Sequence, residues 1–183
     1  MPPGFISDDV PRYTRQPFPS YRYLPFRNDP LRPHPRNDPA GHSYDQTDDY
    51  LPHFAPDDWT TCEPYLYGID LFNHDYWWEA HEALEAVWLA AGQKSTVCGL
   101  FIQGLIQLSG AQLKRFLDEP NGAISLTKNG SAKLSLAEGF YLGVDAWQLI
   151  ADAQRCLSQN RGEFPRIILH FSATSEIPAI RFP

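Results

Sequence analysis

The sequence predicts an all-α protein: a compact multihelical bundle of about five helices carrying an extended, proline-rich N-terminal arm. Three observations lead to this. From residue 61 onward apolar residues recur at helical spacing. Helix stop and start signals divide that region into segments of ordinary helix length. The first 60 residues hold 12 of the 17 prolines and no lysine, with almost no helical periodicity.

The arm, residues 1–60, differs from an ordinary disordered leader because it contains Phe18, Tyr21, Tyr23, Leu24, Phe26, Tyr44, Tyr50, Leu51, Phe54 and Trp59. Disordered segments are poor in aromatics, so the arm is expected to pack on the bundle. Its His34–Tyr44 turn is expected near the mouth of any site there. The bundle domain spans 61–162. Its first helix is expected at Tyr65–Phe72, ending at Asn73-His74. The second follows Asp75, read as its N-cap, and reaches Ala91, with Gly92 as the residue just past its end. The third, about Ser95–Asp118, is apolar almost all round and should be central and buried. The fourth covers about Gly122–Ala137, interrupted by Gly130. The fifth starts after Asp145 and reaches Gln159, with Gly162 beyond it. Residues 163–183 read as a C-terminal extended strap, with Arg166–Phe171 as a short strand or strap segment.

Composition narrows the function classes. A net charge of -7 with no basic stripe argues against nucleic acid. No apolar run approaches the ~20 residues of a membrane span, and no signal-peptide pattern opens the chain. Cys62, Cys98 and Cys156 are odd in number and widely spaced, as in reduced thiols of a cytoplasmic protein. No phosphate loop, dinucleotide fingerprint or G-x-S-x-G elbow is present. Cys98 has no sequence-adjacent histidine to make it a nucleophile. Oligomeric state is not readable.

The second helix carries the chemistry. Trp77-Trp78-Glu79-Ala80-His81-Glu82-Ala83-Leu84-Glu85-Ala86-Val87-Trp88 places His81 and Glu85 four apart, hence neighbours on one face. At about 100° per residue, that face also holds Trp77, Trp78, Leu84 and Trp88. Glu79, Glu82, Ala83, Ala86 and Ala90 fall on the expected solvent side. A histidine and a carboxylate among tryptophans must pair, bind a metal or hold a ligand, because a buried unpaired charge costs several kcal/mol. On the third helix Gln103 and Gln107 repeat the pattern, with Gly99, Gly110 and Lys114 on their stripe. A polar seam of His81, Glu85, Gln103 and Gln107 within Trp77, Trp78 and Trp88 is therefore expected, open to a small ligand or a divalent metal such as zinc. Any catalysis there would be hydrolase-like, with Glu85 as ligand or general base and His81 as ligand or proton shuttle. The alternative is a satisfied hydrogen-bond network in a structural or interaction module, in which losing Glu85 would cost about 3–5 kcal/mol.

The H-x-x-x-E-x-x-W run His81/Glu85/Trp88, preceded by Leu71-Phe72-Asn73 and Tyr76-Trp77-Trp78-Glu79-Ala80, resembles a domain-of-unknown-function family of small bacterial and archaeal helical proteins. Gly99-Leu-Phe-Ile-Gln103-Gly-Leu-Ile-Gln107-Leu108 is similar to that family's next helix, and Asn121-Gly122-Ala123 to its following turn, so the likeness covers about residues 65–137. The resemblance implies a compact helical bundle, metal ligation by His81 and Glu85, and packing by Trp88. The chain departs at His74, where family members commonly carry glycine, and an arm like residues 34–44 occurs in some members. A catalytic zinc takes three protein ligands and the helix pair supplies two. The third would come from His34, Asp38 or His42 in the arm, or from Gln107. His34 and His42 fit equally well as surface or turn-stabilising side chains. Glu82 reads as a solvent-face residue, and His53 and His170 stand alone.

Overall fold

The computed structural model describes residues 10–25, 27, 29–46, 51–159 and 163–171. Phe26, Tyr50, Gly162 and residues 172–183, to which the sequence reading assigned roles, lie outside them. Five helices form the bundle: α1 (Glu63–Asn73), α2 (Trp77–Ala90), α3 (Val97–Phe116), α4 (Pro120–Leu134) and α5 (Ala146–Ser158). A hairpin of β1 (Phe140–Tyr141) and β2 (Val144–Asp145) joins α4 to α5. Among the described residues no helix is long and apolar enough to cross a membrane.

α3 is the axis. Phe101, Ile102, Leu105 and Leu108 are fully buried, and the helix packs against both α2 and α4. Thr96 caps its start, accepting the Gly99 N–H at 2.9 Å. A Cβ on Gly104 would meet the Gly130 carbonyl at 3.1 Å, and one on Gly130 the Gly104 carbonyl at 3.0 Å. Gly130 is therefore not an interruption of α4: with no side chain at either site, the two backbones approach to contact.

Several helix ends differ from the sequence reading. Asp75 is not the N-cap of α2; that position is Tyr76, and Asp75 takes a left-handed conformation at φ 68°. Its carboxylate points outward, to Arg166 at 2.6 Å and Arg22 at 3.6 Å. α4 starts at Pro120, because proline is well suited to the first helical turn. Gly92 does sit in the left-handed position past α2, at φ 87°, and Asp145 caps α5 by accepting the Gln148 N–H at 3.0 Å. The hairpin was not foreseen. Its turn residues Leu142 and Gly143 both have positive φ, 50° and 76°, the pattern of a type I′ turn. The Tyr65 hydroxyl holds the Leu142 carbonyl at 2.8 Å.

The arm docks through carboxylates. Asp70 of α1, wholly buried, accepts the Tyr13 N–H at 2.8 Å, the Thr14 N–H at 2.9 Å and the Thr14 hydroxyl at 2.7 Å, with Arg12 Nε at 3.2 Å. Phe18 then stacks on Tyr76 at 5.0 Å and leans on the His74 ring at 4.8 Å. Glu79 of α2, only 6% exposed, accepts the Tyr23 N–H at 2.7 Å. The tail segment 163–171 runs extended, with Ile167 and Leu169 inward and Ile168 outward. Buried Asn73 imitates a strand partner for it: Asn73 Nδ2 donates to the Ile167 carbonyl at 2.8 Å, and Asn73 Oδ1 accepts the Ile167 N–H at 2.7 Å.

Asp70→Ala strips four donors of their common acceptor, and loss of one partner of a buried charged pair costs ~3–5 kcal/mol. We expect a destabilisation of at least about 3 kcal/mol by urea titration. Trypsin should also cleave first after Arg12, Arg15 or Arg22 in the variant, while leaving the wild-type arm intact under the same conditions.

Candidate functional site

The first turns of α2 set the site. Burial along α2 follows Trp77, Ala80, Leu84, Val87 and Ala91, which places His81 at the border of the core and Glu85 outside it. The His81 and Glu85 side chains are 33% and 48% exposed. The seam read from the sequence as buried is in fact a rim. Glu79, assigned to the solvent side, is buried instead, because the arm lies over it.

At the rim, His81 stands between two carboxylates. Its Nδ1 lies 3.2 Å from Glu82 Oε1 and its Nε2 3.7 Å from Glu85 Oε1. The hydrogen bond that the His81 ring donates to Glu82 raises the imidazole's pKa above its ordinary value; burial opposes that shift, and the Glu85 and Glu82 charges add to it. Glu82 also pairs with Arg36 of the arm at 3.0 Å, so it is a site residue and not merely a solvent-face one. A signal for this was present in the sequence: His and Glu adjacent on a helix put two polar groups on neighbouring stripes. His81, Glu82 and Glu85 form a group of side chains whose candidate ligand atoms all lie within 4.8 Å of one another, and among the described residues no other group of three or more does so.

Behind His81 lies a cleft of about 530 Å³. The arm forms one wall with Tyr23, Pro25 and His34; α2 contributes Trp77, Trp78 and His81. α3 supplies Ile106, Gln107, Gly110, Leu113 and Lys114, and α4 supplies Leu126. Trp78 is the hinge of the aromatic wall. Tyr23 and His34 meet it edge-on, with centroids at 5.1 and 5.9 Å, and His81 lies nearly parallel to it at 5.9 Å. Gly110 helps to make the room, since a Cβ there would meet Leu126 at 3.2 Å.

The remaining sequence candidates separate. His34 lines the cleft, but its Nδ1 is turned back on its own turn, accepting the Arg36 and Asn37 N–H groups at 3.3 Å each. Those bonds leave the proton of the neutral ring on Nε2. His42 is held elsewhere: its Nε2 is 3.2 Å from Glu79 Oε1 and its Nδ1 2.8 Å from Ser43 Oγ. Asp38 binds within its own turn, accepting the Ala40 N–H at 2.9 Å. Gln107 lines the cleft, its Oε1 accepting from Lys133 Nζ at 2.9 Å. Gln103 and Trp88 are not in the lining; Gln103 Oε1 and Trp88 Nε1 are buried without a partner among the described residues. Cys98 is pushed up to about 11 by burial, which leaves it a thiol at neutral pH, unsuited to nucleophilic attack.

Residues 65–126 match a family described as "Domain of unknown function (DUF309)". The matched segment runs from α1 into α4 and so contains His81, Glu82, Glu85 and every cleft residue except the three from the arm. No curated protein matches the chain. The cleft is thus a composite of helices in the matched segment and an arm that precedes them.

The raised His81 pKa fixes a sign. The folded protein binds the proton more tightly than the unfolded chain, so this group's stabilising contribution is complete below the unfolded value near 6.5 and fades as pH rises through the folded value. Histidine ring resonances in an NMR titration should place His81 above 6.5, and Glu82→Gln should shift its midpoint downward.

Proposed function

We propose that the cleft walled on one side by the arm is a binding site for a small organic molecule, with His81 in its lining and Glu82 and Glu85 beside that histidine. The observation that carries this is the cleft itself: about 530 Å³, walled mainly by aromatic and aliphatic side chains, with His34, His81, Gln107 and Lys114 as the polar groups among them. That combination is the usual constitution of a small-ligand site. Because Trp77 and Trp78 line it, occupancy is readable in tryptophan fluorescence. A fragment library screened by that signal should return ligands. Gly110→Leu, which extends a side chain towards Leu126, should weaken every one of them at least about tenfold while leaving the helical circular dichroism unchanged. Hits indifferent to Gly110→Leu would place binding elsewhere and end this reading.

A second reading is supported by the spacing of the polar edge. His81, Glu82 and Glu85 supply one nitrogen and two oxygens, the number of protein ligands typical of an open zinc site. The DUF309 helix alone provides all three, so no arm residue is needed. A metal there would displace the proton of His81, so affinity should rise with pH. In equilibrium dialysis against zinc or manganese we expect about one ion per chain at pH 8, markedly weaker binding at pH 6, and loss in both His81→Gln and Glu85→Gln. Absence of binding at pH 8 would leave the three side chains as an ion-pair network that ties Arg36 and the arm to α2.

A further inference from the structure

Resting on the small-molecule reading of the cleft, we infer that its ligand is an apolar monocarboxylic acid, with Lys114 receiving the carboxylate and the aromatic and aliphatic walls taking the body. The first support is the sign of the lining. Among the described residues that line the cleft none is acidic, and Lys114 is the one permanently charged side chain. The carboxylates paired with lining residues, Glu82, Glu85 and Glu119, are not themselves in the lining. Glu82 and Glu85 face the two ring nitrogens of His81, so an anionic head is directed away from that histidine and towards Lys114.

The second support is the kind of polar group the walls retain. Gln107 commits its carbonyl oxygen to Lys133 Nζ at 2.9 Å, and its amide nitrogen has no hydrogen-bond partner among the described residues. His34 commits Nδ1 to the Arg36 and Asn37 N–H groups, which leaves the neutral ring an N–H on Nε2. The Trp78 indole is a donor only. Each of these side chains has N–H groups left and no acceptor left. A carboxylate, which accepts and never donates, is the complementary head group.

The third support is the freedom of Lys114. Its side chain is 29% exposed and that of its partner Glu119 43% exposed, and a pair so open to water holds its members weakly. The ammonium rides on a flexible four-carbon stem and carries three donor hydrogens. A guest's carboxylate therefore replaces or joins Glu119 without stranding a buried charge. One lysine with no arginine among the described lining residues balances the single charge of a carboxylate, not the nearly double charge of a phosphomonoester. The remaining walls, Trp77, Trp78, Ile106, Leu113 and Leu126, suit a hydrocarbon or aromatic body.

The test uses three probes that share one body: 2-naphthoate, naphthalene and 2-naphthylmethylammonium. Binding to the intact chain is followed by tryptophan fluorescence at neutral pH. At low salt we expect 2-naphthoate to bind at least about tenfold tighter than naphthalene, the worth of one charge-assisted hydrogen bond. The ammonium probe should bind most weakly, and the naphthoate advantage should shrink as salt is added. Lys114→Met should bring naphthoate to the naphthalene level and leave naphthalene unchanged. Glu119→Gln removes the competing carboxylate, so it should tighten naphthoate binding several-fold and leave naphthalene unaffected; it tests Lys114 without altering that residue. Naphthoate binding no tighter than naphthalene, a preference for the ammonium probe, or naphthoate affinity indifferent to both variants would overturn this inference and leave the small-molecule reading standing. If no probe binds, or Gly110→Leu weakens none of them, both fall together.

Discussion

The buried carboxylate of Asp70 is the constraint on which the rest is built. A fully desolvated anion must be satisfied by donors, and α1 supplies none of them: all four come from Arg12, Tyr13 and Thr14 of the arm. The arm is therefore an obligatory part of the folded molecule rather than a decoration on it. Once residues 12–14 are fixed, Phe18 reaches Tyr76, Arg22 reaches Asp75 and the Tyr23 N–H reaches Glu79. Each successive anchor lies further along the α1–α2 edge and ends at the cleft. The wall formed by Tyr23, Pro25 and His34 thus depends on an aspartate on a different helix.

The same logic separates the two halves of the cleft. Its lining is mostly apolar and aromatic, and its His81 and Lys114 are paired with carboxylates. His81 is the point where the halves meet: one face of the ring lies along Trp78 and both nitrogens face carboxylates. Its proton is held more firmly than in water, so its pairing with the carboxylates persists to a higher pH than an ordinary imidazole would allow. Glu85, half in solvent, adds to the local negative potential without being a buried partner. The large penalty expected for its loss therefore does not apply; an exposed pair is worth at most about 1 kcal/mol.

The five helices were legible because apolar periodicity and capping chemistry agreed, as at Asp145 and Gly92. The hairpin was not, because its first turn residue is Leu142, which carries no turn signal and adopts φ 50° only because Tyr65 and the surrounding core hold it there. Of the expected seam, His81, Trp77, Trp78 and Gln107 line the cleft while Glu85, Gln103 and Trp88 do not, and the phase of α2 was misjudged. With Trp77, Trp78 and Trp88 distributed around α2 and alanines filling the gaps, several faces of the helix are apolar enough to be inward. What decides is the arm, which covers Glu79 and so turns a charged residue into a buried one. Periodicity within a helix cannot register a neighbour 56 positions away in the chain. The family resemblance, drawn on the helices and on an arm like residues 34–44, likewise did not say which arm residue meets which helix residue. His34 reached the cleft and His42 went to Glu79, a distinction that rests on one tight turn between them.

The Tyr13 hydroxyl, which accepts the Leu169 N–H at 2.8 Å, joins residues 156 positions apart in the chain. Such a closure carries the loop entropy of nearly the whole intervening sequence, and contacts of long sequence separation slow folding. During synthesis, α1 to α4 have emerged and can pack well before residue 169 exists. The arm, although made first, is thus completed last: it waits for the tail to supply the final donor. Its docking on the nascent bundle is a provisional association, sealed only when the two ends of the described chain meet.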